Sequence, residues 1–150
     1  MSTPVSAVAM AEAFIFQKLA GDTTIAAAVT ATGGTARVFE GHAPEGTSTY
    51  PVIAYAYLGG ADVVAVGGHI TTSKLRYRVL AATPSADKST IDVLAQRIGQ
   101  VLHLATMQFT QGYINACFRL FPLTMVSVDS GREFRESGFV FEVHVCEQNQ

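Results

Sequence analysis

The sequence predicts an α+β fold in two layers, a mostly antiparallel sheet with two main helices packed on one face. Three observations carry this. Ile91, Leu94, Ala95, Ile98, Val101 and Leu102 recur with the 3.6-residue period of an amphipathic helix. Residues 73–82 and 139–145 alternate apolar and polar with the two-residue period of half-buried strands. The order helix, strands, helix, strands lets neighbouring strands pair antiparallel and leaves the helices to one side. With 150 residues, the chain is expected to form a single domain over 1–150.

The first element is a helix over Ser6 to Ala20, with Val8, Ala11, Ile15 and Leu19 on one face and Gly21 as its C-cap. Asp22 offers an N-cap for a shorter turn or helix through Val29. Gly33-Gly34 places a turn within Thr30 to Thr35, and Arg37-Val38-Phe39-Glu40 is a short strand. Gly41 to Tyr50 is a loop by composition. Pro51 then opens a strand over Val52 to Leu58, where it removes no ladder hydrogen bond. Apolar residues on both of its faces predict burial on both.

Ser73 to Ala82 is the partner strand, with Leu75, Tyr77 and Val79 on one face and Lys74, Arg76, Arg78 and Leu80 on the other, wetted face. Thr83-Pro84-Ser85 ends that strand, and Ser85 serves as N-cap of the long helix that ends near Leu102. Thr110 to Tyr113 turns the chain. Ile114 to Val128 alternates with Cys117 out of step and contains Pro122, which predicts an edge strand or a bulge near the proline. In the last strand Phe139, Phe141, Val143 and Val145 share a face, opposite Glu142 and His144.

Composition excludes several function classes. The apolar share is 49% and the charged share 15%, where about 25% charged is usual. A formal net charge of −2 provides no basic field for holding nucleic acid as the main task. No run of about 18 apolar residues occurs, so no membrane span is expected. The first residues lack a charged start and apolar core of a leader, which predicts synthesis in the cytosol. Cys117 and Cys146 are too few for a disulfide framework or a zinc site and read as buried free thiols.

Catalytic chemistry finds no footing in the pattern. No two of His42, His69, His103 and His144 fall on one turn of a helix. His144 and Cys146 could supply two metal ligands from one strand face, but the remaining ligands are missing nearby, so an exposed polar face is expected. Ser127 and Ser130 lack the Gly-x-Ser-x-Gly setting of a nucleophile elbow. Asp129, Arg132, Glu133 and Arg135 read as solvated charges at a hairpin. Gly59-Gly60 and Gly67-Gly68 adjoin strands, whereas a phosphate loop needs a following helix N-terminus. No catalytic residue, cofactor or metal is expected.

The segment Gly59 to Thr72 stands apart. It is too long for a tight hairpin, carries a glycine pair at each end, and has the apolar middle Val63-Val64-Ala65-Val66. Four such residues left in water would invite aggregation, so the segment reads as an extended loop or hairpin arm covered by another surface. Gly59, Gly60, Asp62, Val63, Val64, Val66, Gly67, Gly68 and His69 are the candidate contact residues toward a neighbouring subunit or a partner. A hairpin folding back on its own sheet is the alternative.

The order of these elements resembles the tail-completion proteins of long-tailed bacteriophages, also called tail terminators or tail-to-head joining proteins. The residues that carry the likeness are Arg37-Val38-Phe39, Ala43-Pro44, Tyr50-Pro51-Val52-Ile53-Ala54-Tyr55, Arg76-Tyr77-Arg78-Val79, the helix face from Leu94 to Leu102, and Phe139 to Val143. It spans about residues 8 to 146. Two departures stand out, the long segment containing Pro122 and the apolar Val79-Leu80-Ala81-Ala82.

The resemblance implies a structural virion protein without enzymatic activity, assembling as a homo-oligomeric ring, usually a hexamer. The ring would cap the tail tube at its head-proximal end and join tail to head. Its partners would be the major tail-tube protein and a head-completion or connector protein, with DNA only passing through the lumen and no membrane involved. Six globules with a radius of gyration of about 15 Å would enclose a hole wide enough for a duplex. The alternatives are another neck or head-completion protein of the virion, or a small-molecule-binding α+β domain.

Overall fold

The computed structural model describes residues 6–30, 34–44, 47, 49–64, 70–84, 88–129 and 131–147. The first helix, α1 (Ala7–Ala20), begins where the Ser6 hydroxyl accepts the Ala9 N–H at 3.1 Å and ends at Gly21. Its buried face is Met10, Ala11, Phe14, Ile15 and Leu19, so Met10 and Phe14 join the residues expected there. α2 (Thr23–Val29) starts at Asp22, whose Oδ2 accepts the Ile25 N–H at 3.1 Å. Arg97 then clamps the same carboxylate from the third helix, α3 (Lys88–Leu102), at 2.6 and 3.0 Å. That clamp, with the cap, holds the Asp22 carboxyl below the usual carboxylate range.

Six strands form one curled, mixed sheet: β1 (Val38–Glu40), β2 (Val52–Val64), β3 (Ile70–Pro84), β4 (Met107–Phe109), β5 (Gly112–Asp129) and β6 (Arg132–Glu147). Their order across the sheet is β1-β2-β3-β6-β5-β4. β1 runs parallel to β2, and the other four pairings are antiparallel. Arg37 ties the parallel corner together, donating to Ala28 O and Pro51 O at 3.1 Å each. The α+β class holds, with three helices where two main ones were expected and a parallel edge in the sheet.

Two strand pairs are longer than the sequence suggested. β2 and β3 continue as one hairpin well past Leu58 and before Ser73, through Val63↔Thr72 and Val64↔Ile70. The glycine pair at 59–60 does not end the strand. Leu58 is an extra residue at a bulge, and Gly59 adopts φ 112°, a conformation glycine reaches at little cost. The turn residues 65–69, and Ser85 with its proposed cap, lie outside the described residues. β5 and β6 likewise pair from Gly112↔Glu147 down to Asp129↔Arg132.

The core lies between the helices and one sheet face. Ile53, Tyr55, Leu75, Tyr77, Val79, Ala81, Ile114, Cys117, Phe141, Val143 and Val145 meet the apolar faces of α1, α2 and α3 there. Burial of this order, at about 25 cal/mol per Å² of apolar surface, is the main term holding the layers together. β3 and β6 form the centre and approach each other so closely at Gly138 that any Cβ would run into the Val79 carbonyl. The helix-free face is also covered in part: Val52, Leu80, Ala82 and Val140 are all buried. The apolar run Val79 to Ala82 follows from this burial on both faces.

Candidate functional site

The candidate contact residues divide between the described strands and positions outside the described residues. Gly59, Gly60, Asp62, Val63 and Val64 lie on β2, whereas Val66, Gly67, Gly68 and His69 lie outside the described residues. Asp62 accepts a hydrogen bond from the Ser73 hydroxyl at 2.7 Å, which fastens the two strands of the arm. Val63 is half exposed, and so are Tyr57 and Leu58 just before it. The sequence reading expects both faces of this strand to be at least half buried; Tyr57 meets that at 43% exposed, and Leu58, the extra residue of the bulge, falls just short at 51%.

Backbone groups define this surface as much as side chains do. In an antiparallel ladder, successive residues turn their N–H and C=O groups alternately to one neighbour and to the other. On β2, Ile53 N–H donates to Arg37 O at 2.9 Å and Tyr55 O accepts from Gly41 N–H at 2.7 Å, so odd-numbered residues face β1. The bulge at Leu58 shifts the alternation by one. Gly60 and Asp62 therefore point their backbone groups away from β3, to an edge that no described strand covers.

The opposite side of the sheet has the same construction. Cys117 O accepts from Leu104 N–H at 2.7 Å, and Arg119 N–H donates to His103 Nδ1 at 3.1 Å, so odd-numbered residues of β5 face away from β6 there. Leu120 is the extra residue of a second bulge, which again shifts the alternation. Past it Pro122, Thr124, Val126 and Val128 face the free edge, and the N–H that Pro122 lacks is one the β6 ladder does not need. Both features expected near Pro122, the bulge and the edge, are present. β4 covers only the first residues of β5, leaving Phe118, Leu120, Phe121, Val126 and Val128 between 37% and 70% exposed.

On the helix-free face, Glu142 Oε1 lies 2.8 Å from His144 Nε2, and Arg76 Nε lies 3.5 Å from Oε2. These partners, His144 first, hold the Glu142 carboxyl below its ordinary range. The expected exposed polar face around His144 and Cys146 is largely covered instead. The Phe118 ring stands edge-on to His144 at 5.1 Å, and Cys146 is buried with its sulfur 3.6 Å from the Thr72 hydroxyl. Burial pushes the Cys117 thiol up to about 12, so it is not a nucleophile at neutral pH. Among the described residues no group of three or more His, Cys, Asp or Glu could hold a metal ion.

A groove of about 690 Å³, which sequence reasoning did not find, opens between the 41–50 loop and the start of β6. His42, Tyr50, Val52, Arg132, Phe134 and Glu136 line it. The Tyr50 and Phe134 rings meet at 5.4 Å, with the Arg132 guanidinium 5.8 and 5.6 Å from their centres. Arg132 is exposed, as a solvated hairpin charge should be, and its stacking on two rings 84 residues apart in sequence leaves no local signature.

This architecture, a curled sheet under helices on one face, is shared with a virion component of known structure. A chain from the "Virion of native gene transfer agent (GTA) particle" superposes with a TM-score of 0.73 at 19% identity, covering 95% of this chain and 98% of that one. The family model described as "Tail completion protein gp17" matches residues 13–138. The chain belongs to that family and is a component of the virion. No protein of curated function matches it.

Proposed function

We propose that this protein is a ring-forming tail terminator, which caps the tail tube at its head-proximal end and joins the tail to the head. The observation that carries the reading is the family match over residues 13–138, most of the chain. The fold shared with a chain of a gene transfer agent virion supports it. So do the two uncovered sheet edges, since a head-to-tail contact between unlike edges can close into a ring. In this reading copies of the chain, six for a hexamer, bind one another, the tail-tube protein below and a connector protein above. DNA only passes through the lumen. The 59–72 arm contacts a neighbouring subunit or the tube, and no side chain performs chemistry.

Negative-stain imaging of the purified protein, alone and mixed with isolated tail tubes, tests the reading. Rings with a central hole, free or seated on tube ends, are expected. A strict monomer under both conditions overturns it.

A further inference from the structure

We infer that the free edge of β5, around Thr124 to Val128, pairs by main-chain hydrogen bonds with the free edge of β2, around Gly60 and Asp62, of a second copy of this chain. The inference rests on the ring reading and names the surfaces that would make the ring. Each edge offers outward N–H and C=O groups two residues apart, Gly60 and Asp62 on one side, Thr124, Val126 and Val128 on the other. A row of such groups is a template for another strand, and proteins that stay monomeric commonly blunt it with charge. Here Leu120 to Val128 contains no charged residue, and Asp62, the one charge near the β2 edge, is engaged by Ser73. Proline and the bulge at Leu120 blunt only the first part of the β5 edge.

A second copy is the occupant because one operation satisfies both edges at once. β2 and β5 run in opposite directions within the sheet, since three antiparallel pairings separate them. A rotation about an axis near the strand direction therefore brings the β2 of one copy antiparallel to the β5 of the next. The contact is heterologous, so it repeats. A foreign strand on either edge would leave the other open.

The two open stretches lie toward opposite ends of the sheet. Gly60 is level with Cys117 through Leu75 and Val143, and Thr124 is level with Ile53 through Ser137 and Ala81. Neighbouring copies must therefore be staggered along the strands. A stagger of this kind accompanies the strand tilt of roughly 35–45° with which a sheet closes on itself.

Two variants each close one edge. Val126→Pro removes an N–H from the free side of β5 without touching the β6 ladder, and Asp62→Pro does the same on β2 at the loss of the Ser73 hydrogen bond. Circular dichroism and a thermal melt first establish that each is folded; a variant that fails is replaced by Val126→Lys or Asp62→Lys, which keep the backbone and set a charge at the edge. Sedimentation velocity then reads assembly at a concentration where the wild type forms rings. Each variant alone is expected to sediment as a monomer, and an equimolar mixture as a 1:1 dimer and nothing larger. Rings from either variant alone overturn the edge pairing while leaving the ring reading intact. Dimers of the β2-blocked variant alone show β5 pairing with itself and overturn the inference too. A wild type that stays monomeric, both at millimolar concentration and on isolated tail tubes, overturns the ring reading with it.

Discussion

β5 is the more apolar of two adjacent strands, with 11 apolar residues of 18 against 7 of 16 in β6, yet it is the less buried. Phe141, Val143 and Val145 of β6 are fully buried, whereas Phe121 and Val128 of β5 are 49% and 70% exposed. Hydropathy would rank their burial the other way round; position decides it. β6 has a strand on each side and helices over one face, while β5 beyond Leu120 has a strand on one side only. An apolar residue in a central strand reports on the core, and the same residue at an edge reports on what the molecule meets next.

The sharpest contrast is a pair of matched truncations. Phe141→Ala should lower unfolding stability by about 3–5 kcal/mol in urea titration, the usual result of emptying a filled core site. Phe121→Ala, at the exposed edge, should stay within about ±0.5 kcal/mol for the monomer. Equal losses would abolish the distinction drawn between the strands. Next in size is Gly138→Ala on β6, where the new methyl group meets the Val79 carbonyl. A loss of about 1–3 kcal/mol is expected from such overpacking, and a neutral result would mean that β3 and β6 can move apart without cost.

A third comparison falls within β5 itself. Cys117, on its covered half, should resist alkylation until the protein unfolds, because burial raises the thiol's pKa and blocks access. A cysteine placed by Val126→Cys should react at close to the rate of a free thiol in the monomer, as mass spectrometry over time would show. Comparable rates at the two positions would mean that the covered half opens as readily as the free edge. The smallest effect concerns Glu142. Its pKa is depressed in the fold, so its contribution is present above the ordinary carboxylate pKa and is lost as pH falls through the lowered value. Glu142→Gln should reduce the acid-side slope of stability by less than about 1 kcal/mol, since the pair is partly solvated. An unchanged acid limb would remove Glu142 from the account.

Local signals in the sequence reached the structure wherever short-range chemistry decides the element. Asp22 caps α2, Gly21 ends α1, and the proline at 122 marks a bulge and a free edge, while Ser6, read as the first residue of α1, is its cap. The reading faltered where distant residues decide. The glycines at 59–60 resemble a strand end, but the ladder with β3 carries the strand across them. Leu58 continues the half-buried alternation in the sequence, but the bulge takes it out of the pairing with β3. The groove needs Tyr50 to meet Phe134, and no pattern in either segment announces the other. Of the candidate contact segment, the arm was legible as apolar and unusual; that it and the proline-marked edge of β5 lie on opposite sides of one sheet emerges only from the strand order.

The central pairing of β3 with β6 joins Ser73 to Val145 and Pro84 to Phe134, residues that are far apart along the chain. During synthesis the β2–β3 hairpin leaves the ribosome well before its central neighbour exists, because β6 follows it in the chain after α3, β4 and β5. Pairings of such high sequence separation form slowly, and unpaired apolar strands are exposed while they wait. A chain that lacks β6 therefore has no sheet centre: the β2–β3 hairpin and β5 are both left without the strand that joins them.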